Sequence, residues 1–183
     1  MFDPTIYDNL KVVFEGALYD LDREGRILVS GREDLVNLAT MARTFVMKVE
    51  KPEHATCIGK LELTSTLVDF ASELRLMRLA DEVPGVLLTM SFEMPERMVV
   101  QSPALDDHFQ AVWAEVAEVV HERLAPFEPQ PEKRKHMEEP DGIYRITLSF
   151  RGKIDEDNIE DVVPLLEHFV SSLETIEDIG NSL

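Results

Sequence analysis

Metal binding is the first chemistry to consider, because the sequence holds five histidines and 36 acidic residues. The histidines lie at positions 54, 108, 121, 136 and 168, too scattered to form a local set of ligands. Glu118 and His121 do have the i, i+3 spacing of the carboxylate and histidine ligands in di-iron helices. That motif normally occurs in pairs on facing helices, and the sequence contains no second copy. We therefore interpret both as surface residues and expect no bound metal.

Two charged clusters are also compatible with ion binding. Residues 155–157, Asp-Glu-Asp, resemble the start of a calcium loop, but the glycine and the distal glutamate of an EF-hand are missing. Acidic residues at the N-terminus of a helix explain this cluster more simply. Residues 133–136, Lys-Arg-Lys-His, form the only basic cluster, and glutamates flank it. We interpret the basic cluster as part of a solvated loop.

The single cysteine, Cys57, is a candidate nucleophile. It shares one face of a predicted strand with Leu61 and Leu63, which favours a buried and unreactive thiol. His54 is close in sequence, but residues three apart on a strand point to opposite faces. One cysteine also excludes an intramolecular disulfide and fits a reducing compartment.

The glycine spacing excludes the common nucleotide-binding loops. All eight glycines are at least six residues apart, so neither a GxGxxG dinucleotide loop nor a Walker A phosphate loop is present. No serine lies in the GxSxG motif of α/β-hydrolases. We expect no cofactor. Whether the protein is an enzyme stays open, with the absence of these motifs weighing against it.

The composition indicates a folded and strongly acidic protein. Hydrophobic residues make up 44% of the chain, which is ordinary for a globular domain, and 183 residues suit a single domain. The formal net charge of −18 repels phosphate groups, so we expect no binding to nucleic acid or to anionic membranes. The N-terminal residues lack the pattern of a signal peptide. We expect a cytoplasmic location.

The best-marked element is a helix predicted from Ser102 to Pro126. Ser102 suits its N-cap, Pro103 suits its first turn, and Pro126 ends it. Its apolar side chains recur three or four residues apart, as on a helix that faces a core. The members of this stripe are Leu105, Phe109, Val112, Val116, Val119, Val120 and Leu124. A stripe of this length needs a sheet or other helices to cover.

The rest of the chain alternates between strand-like and helix-like patterns. Strands are predicted over 10–21, 26–30, 43–50, 55–66, 86–94 and 142–151. Further helices are predicted over 30–42, 66–80 and 159–176, and Pro164 must kink or restart the last one. Because hairpins dominate, we expect an α+β fold. Its sheet should be largely antiparallel with helices packed over one face, a two-layer sandwich.

The predicted domain organisation is a single α+β domain over residues 1–183, interrupted by one loop. Residues 126–141 hold four prolines and many charged residues without an apolar pattern, which predicts a mobile loop. Residues 154–183 contain nine acidic residues and no lysine or arginine. We expect these acids to face outward and to have no stabilising ion pairs within their segment.

The leading functional hypothesis is a soluble protein that acts by binding, either to itself as a homodimer or to another protein. A basic partner could dock on the C-terminal acids, for which Glu160, Asp161 and Glu167 are the candidates. Solubility is the simpler explanation of the same charges. The alternative function is an enzyme or small-ligand-binding protein whose site is assembled from residues distant in sequence.

Overall fold

The computed structural model describes residues 5–53, 55–75, 84–125 and 142–181. Four α-helices are present in these ranges: α1 Ile6–Arg23, α2 Leu67–Arg75, α3 Ser102–Trp113 and α4 Val162–Gly180. The strands are β1 Leu28–Asn37, β2 Ala42–Glu50, β3 Ile58–Ser65, β4 Leu87–Pro95, β5 Ala117–Leu124 and β6 Ile143–Phe150. Short 3₁₀ helices at Glu96–Gln101 and Glu156–Asp161 precede α3 and α4.

The six strands form one antiparallel sheet in the order β1-β2-β3-β4-β6-β5. Helices α1, α3 and α4 pack on one face of it, which we call the inner face. The predicted α+β fold with a largely antiparallel sheet is therefore confirmed.

The core between the inner face and the helices is centred on Phe92 of β4. Its ring contacts Phe109 of α3 edge-on and Phe169 of α4, both at a centroid distance of 5.1 Å. Gly59 of β3 lets α4 approach this closely, because a Cβ atom there would lie 2.9 Å from Cζ of Phe169. The aromatic contacts and the glycine together fix α3 and α4 against the sheet.

The strand predicted over 10–21 is wrong, because this segment lies within α1. The buried side chains of α1 are Tyr7, Leu10, Phe14, Leu18 and Leu21. Phe14 and Leu18 fit both a strand period of two and a helical face, so the pattern over 10–21 was ambiguous. Thr5 caps the helix, since its hydroxyl oxygen accepts a hydrogen bond from the Asp8 backbone N–H at 3.2 Å.

The helix predicted over 30–42 is also wrong. Most of this segment forms β1, which pairs along its length with β2. Ser30 and Glu33 have the spacing of a capping box, but the pairing register shifts between Val29 and Gly31, as at a β-bulge. Pairing with β2 therefore overrides a weak local helix signal.

The helix predicted from Ser102 to Pro126 is only twelve residues long and ends at Trp113. Residues 114–116 turn the chain, and β5 follows. The valines that extend the helical stripe, Val116 and Val120, are exposed, whereas Ala117 is buried. The β-branched residues Val116, Val119 and Val120 suit a strand better than a helix. β5 pairs with β6, and β6 is a strand that the sequence predicts correctly.

The strand predicted over 26–30 is correct only from Leu28, where β1 begins, and it pairs with β2, so the predicted hairpin with 10–21 is wrong. The other predicted elements are confirmed in the described residues. The 43–66 hairpin corresponds to β2 and β3, residues 86–94 to β4, residues 142–151 to β6, and the last helix to α4. Pro164 lies in the first turn of α4, so the predicted restart of the helix occurs just before it. The predicted loop at 126–141 and the end of the helix predicted over 66–80 lie outside the described residues. None of the described helices has the length and apolar character needed to span a membrane.

Candidate functional site

The face of the sheet opposite the helices carries the most distinctive surface of the described residues. Seven large aliphatic side chains on it are between 39% and 50% exposed. They are Leu28, Leu35, Ile58, Leu87, Val120, Leu124 and Ile143. We call this surface the uncovered face, and define it by the outward-facing side chains of β1 to β6.

Strand register arranges the centre of the uncovered face in two adjacent rows of opposite character. The glutamate row contains Glu33, Val46, Glu62, Thr89, Ser149 and Glu118, in the order of the strands across the sheet. The lysine row lies two residues further along each strand and contains Gly31, Lys48, Lys60, Ser91, Thr147 and Val120. Both rows exist because cross-strand partners in an antiparallel sheet project from the same face.

Ion pairs connect the charged side chains of this face. Lys60 Nζ lies 2.6 Å from Glu62 Oε2 on the same strand, and Lys48 Nζ lies 3.0 Å from Glu33 Oε1 on the neighbouring strand. Arg145 reaches Glu93 at 2.7 Å. Exposed pairs of this kind add little to stability, so their main physical effect is on what can approach the face.

A depression of about 350 Å³ lies on the uncovered face between β1 and β4. Val46 forms part of its lining and is almost fully buried although it points away from the core. Lys48 and Lys60 flank Val46 together with Glu33 and Glu62. The arrangement provides an apolar patch within a ring of both charge signs.

Of the two residues interpreted from the sequence as surface residues, Glu118 is exposed, whereas His121 is mostly shielded from solvent. Both residues lie on β5, where an offset of three places Glu118 on the uncovered face and His121 on the inner face. The structure instead groups His121 with Tyr144 and Asp106. His121 Nδ1 is 2.5 Å from the Tyr144 hydroxyl, and Nε2 is 3.2 Å from Asp106 Oδ1 without hydrogen-bond alignment.

This Asp106–His121–Tyr144 cluster links α3, β5 and β6. Burial, reinforced by the Asp106 carboxylate, raises the pKa of the Tyr144 phenol to about 12. The phenol therefore stays protonated at neutral pH, where it can donate to His121 but not act as a nucleophile. The sequence could not indicate the cluster, because its members are at least fifteen positions apart and the helix predicted from Ser102 to Pro126 wrongly includes His121.

Cys57 is buried, in agreement with the prediction of an inaccessible thiol. Burial, together with the nearby Glu177 carboxylate, raises the pKa of the Cys57 thiol well above its usual value. Glu177 is itself buried, and its Oε1 accepts hydrogen bonds from the backbone N–H groups of Thr56 and Cys57, both at 2.8 Å. The carboxylate thus holds the segment before β3 against α4. His54 lies outside the described residues.

The acidic cluster at 155–157 has the simple structural role that the sequence suggests. Asp155 caps the 3₁₀ helix before α4, accepting from the Asp157 backbone N–H at 2.9 Å. Asn158 completes a capping box by accepting from the Asp155 backbone N–H at 3.1 Å. In the described residues no three histidine, cysteine or acidic side chains are grouped so that they could hold a metal ion. The basic cluster at 133–136 falls outside the described ranges.

The expectation that the C-terminal acids face outward is wrong for Glu177, whereas Glu167 and Glu174 have half-exposed side chains that pair with basic residues of other segments. Glu167 forms a bidentate ion pair with Arg26 at 2.7 and 2.6 Å, which lowers the pKa of Glu167. Glu174 pairs with Lys51 at 2.9 Å, and Glu177 is buried. These acids find their partners elsewhere in the chain, so counting charges within one segment could not reveal them. Glu160 and Asp161 are exposed, as expected.

The uncovered face is the best-supported candidate site among the described residues. It combines exposed aliphatic side chains, charged groups of both signs and a depression, and extends over all six strands. The Asp106–His121–Tyr144 cluster, by contrast, is small, with Tyr144 buried and Asp106 and His121 partly exposed. No protein-family model matches this chain and no curated protein matches it, so the geometry alone carries the proposal below.

Proposed function

We propose that this protein acts by self-association, with two copies packed through their uncovered faces. The observation that carries the proposal is the set of seven half-exposed aliphatic side chains that share the uncovered face. These side chains surround the charged rows, and apolar surface bordered by polar residues favours an interaction site. Packing this face against another protein surface removes it from water.

The dimensions of the face suit a stable dimer. Strands lie about 4.8 Å apart and rise about 3.3 Å per residue, so six strands of about eight residues cover roughly 24 by 26 Å. Side chains add to this flat area, bringing it close to the roughly 800 Å² that each partner contributes to a standard interface. Two antiparallel sheets also pack face to face as a common architecture.

The charge distribution favours a second copy over a basic partner. The glutamate and lysine rows together contain three glutamates and two lysines, and the next outward row adds Glu50, Glu93, Glu122 and Arg145, a balance of −3 in a chain whose formal charge is −18. A basic partner would be attracted more to the strongly acidic surfaces than to this face, which carries both signs. A face with both signs can instead complement itself.

A matched pair of variants tests the proposal. Ile58→Asp introduces a charge on the uncovered face, whereas Val163→Asp introduces the same charge on α4, away from the sheet. We expect Ile58→Asp to weaken dimerisation by about tenfold or more, because it places an unpaired charge in the interface. Val163→Asp should leave the dimer dissociation constant unchanged.

Sedimentation equilibrium of the two variants and the unmodified protein measures these constants directly. Equal dissociation constants for the two variants would show that the uncovered face is not the interface. Unmodified protein that stays at the 20.8 kDa mass of one chain at every concentration would overturn self-association. That outcome would favour the alternative, a small-ligand-binding protein that uses the depression on the same face.

A further inference from the structure

The central rows of the uncovered face are complementary to each other. Every strand presents one residue to the glutamate row and, two residues away, one to the lysine row. On β3 these residues are Glu62 and Lys60, and on the neighbouring β4 they are Thr89 and Ser91. β3 and β4 are the two middle strands of the sheet. The opposite charges therefore lie at the centre of the face, beside small hydroxyl side chains that permit close approach.

We propose that the two copies are related by a two-fold axis that lies in the interface, crosses the strands, and passes between the glutamate and lysine rows. This inference rests on the proposed self-association. Rotation about that axis places each strand over its own counterpart and exchanges the two rows. Lys60 of each copy then faces Glu62 of the other. Sheet twist displaces the rows least at the centre, where this pair lies.

The same rotation matches apolar side chains at the β1 edge. Leu35 lies one outward position beyond the glutamate row, and Leu28 lies one outward position beyond the lysine row. Exchange of the rows brings Leu35 of one copy towards Leu28 of the other. Both are about half exposed in the single chain. Their approach would bury apolar surface at two symmetry-related places.

The other two-fold arrangement of two facing sheets is less compatible with the charges. An axis parallel to the strands would place each row over itself and β1 over β5, given the strand order. Glu33 of β1 would then lie opposite Glu118 of β5, and although Glu50 would face Arg145, the central Lys60 and Glu62 would face only Ser91 and Thr89. Like charges placed opposite each other disfavour that packing.

The proposed axis also offsets the desolvation cost of placing the Lys60 and Glu62 charges at the centre of the interface. Lys60 and Glu62 already form an ion pair within one chain at 2.6 Å. In the dimer the two pairs combine into a square of alternating charges, in which each lysine contacts two glutamates. A network of this kind offsets more of the desolvation cost than one isolated pair does.

Charge reversal at these two positions tests the axis. Lys60→Glu gives each face two central negative charges, and Glu62→Lys gives each face two central positive charges. We expect each single variant to weaken the homodimer by about tenfold or more, because four like charges then meet at the axis. An equimolar mixture of the two should form a heterodimer, and the double variant Lys60→Glu/Glu62→Lys should recover the homodimer.

The matched control is Arg23→Glu on α1, where the Arg23 side chain is exposed. It changes the net charge by the same amount as Lys60→Glu. Sedimentation equilibrium gives the dissociation constants, native mass spectrometry counts the heterodimer, and circular dichroism confirms that each variant is folded. If the single variants have the same dimer dissociation constant as Arg23→Glu, the proposed axis is wrong. It is also wrong if the double variant does not form the homodimer again. If Ile58→Asp still dissociates the protein, self-association through this face survives that result. A monomeric unmodified protein would overturn both proposals.

Discussion

Replacement of Trp113 by alanine is expected to lower the free energy of unfolding by about 3–5 kcal/mol. Trp113 is buried at the end of α3, where its ring packs edge-on against Phe150 at a centroid distance of 5.9 Å. Its indole Nε1–H also donates to Ser172 Oγ of α4 at 3.0 Å. The substitution leaves a large cavity between α3, α4 and β6 and removes one buried hydrogen bond. Urea denaturation followed by circular dichroism measures the loss.

Val116→Asp is the informative control for Trp113→Ala. Val116 is 49% exposed in the turn before β5, so the aspartate should change stability by less than about 0.5 kcal/mol. If the helix continued from Ser102 to Pro126, Val116→Asp would lower stability more than Trp113→Ala, because the apolar stripe of that helix includes Val116 and excludes Trp113. A larger loss for Val116→Asp than for Trp113→Ala would contradict the observed end of α3.

Glu177→Ala is expected to lower the free energy of unfolding by roughly 2–3 kcal/mol. The carboxylate accepts from the backbone N–H groups of Thr56 and Cys57, and alanine leaves both donors without this acceptor. Unsatisfied donors in a protein interior carry the full cost of losing their hydration. Glu177→Gln keeps one acceptor oxygen and should lose less.

Glu160→Ala provides the comparison for the Glu177 variants. Glu160 belongs to the same acidic segment but is exposed, so its removal should change stability by less than about 0.5 kcal/mol. Thermal and urea unfolding of all three variants gives the ranking. Equal stability of Glu177→Ala and Glu160→Ala would refute the structural role of the buried carboxylate.

Local sequence patterns correctly predict the elements whose apolar spacing fits only a strand or only a helix. The hairpin of β2 and β3 has a clear alternation, with Phe45, Met47, Leu61 and Leu63 on the buried side. The fold class follows from such hairpins even though three other elements were assigned wrongly. The wrong assignments occur where apolar spacings fit both periods, as with Phe14 and Leu18, or where strand pairing decides between them.

The candidate site is much less visible in the sequence than the fold class. Alternation alone places Lys60 and Glu62 on the polar side of β3, a prediction that the structure confirms. It does not show that none of the described helices covers this side, or that Glu33 and Glu118 from the edge strands join the same row. Those features depend on strand order and register, which are set by contacts between distant segments.

Hydroxyl-radical footprinting of the unmodified protein tests the central claim most directly, because it reports side-chain exposure on both faces at once. Leu87 and Ile143 lie on the uncovered face, while Val12 and Val163 are exposed on helices α1 and α4. As the protein concentration rises through the dimer dissociation constant, oxidation of Leu87 and Ile143 should fall, and oxidation of Val12 and Val163 should stay constant. Oxidation of Leu87 and Ile143 that is independent of concentration, or protection confined to the helices, would contradict self-association through the uncovered face.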